Sequence, residues 1–159
     1  MTQDQERRLL ADYVETCRRL DAGFRRSCDQ VAPLMPMSAD AIAALPAERE
    51  DHVLSFLKRF EQYADTLNRT LKTIAQIMEL GRVERLTARD IANRADKFGI
   101  TDADLWSEAI RTRNALAHEY PLRPDKQAEQ INAAWRAHDT LNTTLAQIEI
   151  FVRTEGLSS

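Results

Sequence analysis

The sequence predicts an all-α fold, an antiparallel bundle of four to five helices, and three observations carry that prediction. Only four of the 159 residues are Gly and five are Pro, while Ala, Leu, Arg, Glu, Asp and Gln dominate, which is a composition of good helix formers. Apolar residues recur at spacings of three and four over long segments rather than alternating as in strands. Capping residues, Gly and Pro punctuate those segments where helices begin and end. A chain of this length fits one domain spanning 1–159, with a core of its own.

The first helix is predicted from about Asp4 to Val31, because Leu10, Tyr13, Cys17, Leu20, Phe24 and Cys28 form one apolar stripe. Pro33 and Pro36 end that pattern. Ser38 then caps a short helical turn through Leu45, and Pro46 opens the next element. From Ala47 to about Leu80 a long helix is indicated. Val53, Phe60, Leu67 and Ile74 recur every seven residues there, accompanied by Leu57, Ala64, Leu71 and Met78, so the helix belongs to a bundle or to a dimer seam. Gly81 ends it, Thr87 and Asp90 have the spacing of a capping pair for a short helix to Phe98, and Gly99 stops that one. A further helix begins after Thr101, with Asp104 at capping spacing, and Pro121 and Pro124 bound its far end. The last helix is predicted from Asp125 to about Arg153, carrying Ile131, Trp135, Leu141, Leu145, Ile148 and Val152. Trp106 and Trp135 both stand at core periodicity, which favours packing over base stacking.

The formal charge is −3, so no global positive field draws the protein to nucleic acid, and any RNA contact must be local. No apolar run approaches the roughly 20 residues of a membrane span, and the polar start MTQDQERR does not read as a signal peptide; a cytoplasmic protein with no membrane partner is expected. Cys17 and Cys28 lie about 16 Å apart on one helix, too far to bridge, and are expected to be buried thiols; no metal site is expected. The arginine pairs at 7/8, 18/19 and 25/26 return to similar angles on the first helix. They suit a phosphate-tracking stripe, but the acids sharing that helix favour a solvated, ion-paired face. His52 and His138 have no convergent partners and are expected at the surface or an interface.

Chemistry-bearing residues concentrate in Arg111-Thr-Arg113-Asn114-Ala-Leu-Ala-His118-Glu119-Tyr120-Pro121. On an ideal helix Leu105, Trp106, Ala109, Ile110, Leu116 and Ala117 define an apolar face with Arg113 in its middle. A guanidinium there must meet an acid, reach a solvated cleft or bind an anion. Arg111, Asn114 and His118 line up on the opposite face. Histidine moves a proton near neutral pH and arginine grips phosphate, so the cluster suits phosphodiester chemistry. The plainer reading is a histidine that merely interacts well with the dipole at a helix C-terminus.

The string Arg113-Asn114-x-x-x-His118-x-Tyr120 resembles the RNxxxHxY signature of HEPN-domain toxins, specifically the HepT-like ribonucleases, in a helical bundle of similar length and helix order. The resemblance implies a metal-independent endoribonuclease without cofactor, working on RNA as a homodimer whose two motifs face each other, and paired with an MNT-type nucleotidyltransferase antitoxin. By position, Arg113 and His118 would be the catalytic pair, with Asn114 the polar residue beside the arginine. Tyr120 matches the tyrosine that the antitoxin adenylylates in some members. Arg111 and Glu119 would be candidate substrate contacts. Arg111 also lies within the looser family spacing of arginine to histidine, and Arg113 is preferred because Asn114 follows it. Two competing readings are a non-catalytic substrate-binding subunit of a two-component nucleotidyltransferase and a plain dimeric scaffold held by the heptads of the long helix.

Overall fold

A computed structural model describes residues 2–79, 85–118 and 121–158. Six α-helices and no strand are found among these residues: α1 (Gln3–Val31), α2 (Ala39–Ala43), α3 (Ala47–Met78), α4 (Ala88–Lys97), α5 (Ala103–His118) and α6 (Pro124–Thr154), with a 3-10 turn at Ala32–Leu34. The chain is an all-helical bundle. The predicted role of Gly81 lies outside the described residues.

Local chemistry sets most of the boundaries. Thr2 and Gln5 form a capping box at α1, Thr87 and Asp90 form another at α4, and Ser38 Oγ accepts the Ala41 amide to start α2. Gly99, at φ +74°, ends α4 in the left-handed region that only glycine adopts cheaply, and the Ile100 amide folds back onto the Ala95 carbonyl. The expected Thr101–Asp104 cap is not formed. Asp102 caps α5 instead, its Oδ1 accepting the Leu105 amide at 2.9 Å, while Asp96 of α4 accepts the Ala103 amide at 2.9 Å and Asp104 pairs with Arg89 of α4 at 3.1 Å.

Helices α1 and α3 make an antiparallel hairpin along most of their length. Its direction shows in the pairing: Cys17 meets Thr70, while Phe24, further along α1, meets Phe56, Phe60 and Tyr63, earlier in α3. The heptad residues Val53, Phe60, Leu67 and Ile74 are all buried in this core, so the repeat builds the bundle. Cys17 and Cys28 are free and buried. Burial pushes the Cys17 thiol up to about 11 and that of Cys28 up to about 12. Helix α6 closes the bundle, and Asn132 pins the connection after α1 by exchanging two 2.8 Å hydrogen bonds with the Met37 backbone. Helix α5 lies against α3, α4 and α6. No helix among the described residues is long and apolar enough to cross a membrane.

Two histidines expected at the surface or an interface are partly buried. The His138 ring stacks on Trp135 with centroids 3.9 Å apart, its Nδ1 meets the Trp135 carbonyl and its Nε2 stands 3.2 Å from Asp139. His52 is likewise half-buried, with Nδ1 fully out of solvent. The arginines of α1 divide as the charge pattern suggests. Arg18, Arg19 and Arg25 pair with Glu15, Glu149 or Asp21, which makes that part of the helix an ion-paired face.

Candidate active site at the end of helix α5

Helix α5 is fixed to the bundle by Trp106, Ala109 and Ile110, all buried. Trp106 is fully enclosed and its indole N–H donates to Asn68 Oδ1 of α3 at 3.0 Å. The apolar face is narrower than the sequence predicts. Leu105 is 57% exposed and Ala117 is exposed, because the neighbouring helices cover only the arc centred on Trp106 and Ile110.

Arg113 falls on that covered arc and is half-buried. Of the three fates open to a guanidinium there, it meets an acid. Its Nη2 stands 3.1 Å from Asp65 Oδ1 of α3, and its Nη1 donates to Asn114 Oδ1 at 3.1 Å, while Nε is buried without a partner among the described residues. The second oxygen of Asp65 takes Arg69 Nε at 3.2 Å. Two guanidinium groups thus share one carboxylate, and the cluster keeps one net positive charge. Asp65 is the residue that sequence reasoning missed. Its partner Arg69 stands four residues on, the spacing of an ordinary surface ion pair, and nothing in the sequence marks the contact to α5.

His118 is the last residue of α5 and is exposed. Five residues separate it from Arg113, which turns the two side chains about 140° apart around the helix. Within one chain they do not converge. Asn114 and Arg111 share the face of His118, and both line a groove of about 380 Å³ between α4 and α5, whose floor includes Ser107 and Ile110. Arg89 crosses this groove to Ser107 at 2.9 Å, and Arg111 is loosely held by Glu108 at 3.6 Å. The structure therefore joins Arg113 to Asn114 and to Asp65, joins Arg111 to Asn114 through the groove, and leaves His118 open to solvent. Glu119 and Tyr120 lie outside the described residues.

Among the described residues no three His, Cys, Asp or Glu side chains converge as metal ligands. Comparison of the chain with protein-family models, with curated proteins and with solved structures finds no match.

Proposed function

We propose that the chain is an endoribonuclease toxin of the HEPN type, cleaving RNA without a metal ion and held in check by an MNT-type nucleotidyltransferase antitoxin. The observation that carries this reading is Arg113, a guanidinium held half-buried by Asp65 in a cluster that retains positive charge, just before an exposed His118 on the same helix. The RNxxxHxY pattern supports it, and a soluble site in the cytoplasm would suit it.

In the proposed reaction His118 takes the proton of a ribose 2′-OH. The 2′ oxygen attacks the adjacent phosphorus, the bond to the 5′ oxygen breaks, and Arg113 stabilises the added negative charge. The products are a 2′,3′-cyclic phosphate and a 5′-hydroxyl whose proton comes from a second, protonated imidazole. One motif histidine per chain cannot serve as base and acid at once, so a two-fold homodimer supplies the pair. Pre-held by Asp65, the guanidinium loses little freedom when phosphate arrives. Adenylylation of Tyr120 would place a bulky anion two residues from His118 and repel the RNA backbone.

Expression of wild type, His118→Ala and Arg113→Ala tests the reading, with growth and RNA cleavage in chelator as readouts. Only wild type is expected to arrest growth and to leave cyclic phosphate ends; equal toxicity from all three retires it. The divergence of Arg113 and His118 around α5 favours a second reading, a non-catalytic helical subunit that binds the substrate of a nucleotidyltransferase. That reading expects all three proteins to be harmless and to bind the transferase equally.

A further inference from the structure

Gly23 lies buried in the second half of α1, inside the helix, where glycine is a costly choice unless its missing side chain is used. It is used by an arginine. A Cβ built at Gly23 would stand 1.8 Å from Arg59 Nη1 and 3.1 Å from its Cζ, so the half-buried guanidinium of α3 rests directly on the α1 backbone. Arg26, one turn further along α1, brings its Nη2 within 3.6 Å of the same point. Two like charges therefore converge on one patch of the hairpin. Arg18, Arg19 and Arg25 on the same helix each have a carboxylate, yet neither Arg26 nor Arg59 forms an ion pair among the described residues. The Arg59 Nε donates to Ser55 Oγ at 3.4 Å, which orients the group and leaves its terminal Nη atoms free to act as a fork.

Neighbouring guanidinium groups repel, the more so where one is partly withdrawn from water. An anion between them turns that repulsion into two charge-assisted contacts. A tetrahedral oxyanion matches the donors, because each planar fork can grip two oxygens and the nearby hydroxyl can donate to a third. A carboxylate offers only two oxygens and would leave part of this set unused.

We propose that Arg26 and Arg59, seated on Gly23 and steadied by Ser55, form a binding site for a single phosphate group. The phosphate is either free or part of a polynucleotide strand, and the site lies on the α1 side of α3, apart from the Asp65–Arg113 contact on the α5 side. It depends on no assumption about His118.

Two probes distinguish the sources: inorganic phosphate, titrated against chloride at matched ionic strength, and a short oligouridylate, added to the His118→Ala protein so that no cleavage consumes it. The readout is the Nε–Hε resonance of Arg59 in nitrogen-15 NMR, with circular dichroism as the fold control. A saturable shift with phosphate is expected. Arg59→Gln, followed through Arg26, and Arg26→Gln, followed through Arg59, should each weaken binding about tenfold, the loss of one charge-assisted contact. Gly23→Ala should do the same with helix content intact, because its methyl occupies the seat of Arg59. A response to the oligonucleotide alone also supports the site and assigns it to strand binding. No saturable shift with either probe overturns the proposal, and so does binding that survives both Gln variants.

Discussion

Asp65→Ala removes the carboxylate that both Arg113 and Arg69 use, and its effect can be sized from the geometry. The pair with Arg69 is the exposed one, with the arginine side chain 63% accessible, and contributes within the 0–1 kcal/mol typical of surface pairs. The pair with Arg113 is different. At 3.1 Å, with about a third of each side chain accessible, it lies between a surface pair and a buried one whose disruption costs about 3–5 kcal/mol. Arg113 Nε already lacks a partner, so losing Asp65 leaves a half-buried guanidinium with Asn114 alone. A loss of about 1–2 kcal/mol follows, seen as a fall in Tm of roughly 2–8 °C for a chain of this size. Asp65→Asn keeps an acceptor and should cost less. If the RNase proposal holds, both variants loosen the guanidinium and lower cleavage by about 10–100-fold, while Arg69→Ala, which spares the contact, lowers it little. The decisive assay is a double-mutant cycle of Asp65→Ala with Arg113→Ala, read by urea denaturation. Coupling of about 1 kcal/mol is expected; strictly additive effects would show that the two side chains do not meet in solution, and the positioning argument would fall.

Gly23→Ala should raise the urea midpoint, corresponding to roughly 0.5–1 kcal/mol, since alanine favours the helix and the atom it displaces is the far end of a flexible arginine. A destabilised variant would mean that Arg59 cannot swing clear. The two cysteines set an alkaline limit. Their thiols ionise from 9.0 when unfolded but are held up to about 11 and 12 by burial, so the unfolded chain loses protons first. Stability should be level with respect to these groups below pH 9 and fall as pH rises from 9 to about 12, with Cys→Ser variants flattening that limb of a pH–Tm profile.

Features written in neighbouring residues were legible in the sequence. The caps at Ser38 and Thr87 and the stop at Gly99 depend on groups within four residues, and the sequence contains both sides of each interaction. The start of α5 was misread because Thr101 and Asp102 are equally good cap candidates locally. Asp104, the expected partner of Thr101, is held by Arg89, and Asp96 of α4 takes the Ala103 amide, contacts that come from another helix. Arg113 was recognisable as a problem, since a helical wheel put it among apolar residues, but its solution lay in α3, where Asp65 looks like half of a routine pair with Arg69. The contact of His138 was not legible for a related reason. Its ring folds back on Trp135 three residues earlier, a rotamer choice that periodicity does not specify.

The angle between Arg113 and His118 bears most directly on how the proposed enzyme would be assembled. A strand contacting both within one chain would have to wrap around the tip of α5, and the single imidazole would still have to act as base and acid. Two chains joined by a two-fold axis near α5 relieve both constraints, because each arginine can face the histidine of the other copy and the two imidazoles share the proton transfers. The arrangement makes a numerical prediction. When wild type and His118→Ala are mixed in equal parts and their subunits randomised, about a quarter of the dimers hold two histidines. Total cleavage should fall to about a quarter of the unmixed wild-type value if both imidazoles are needed, and to about half if each chain works alone. A value near half, with subunit exchange confirmed by mass spectrometry of tagged chains, would rule out the shared site and require the single histidine to act with solvent water as its only proton partner.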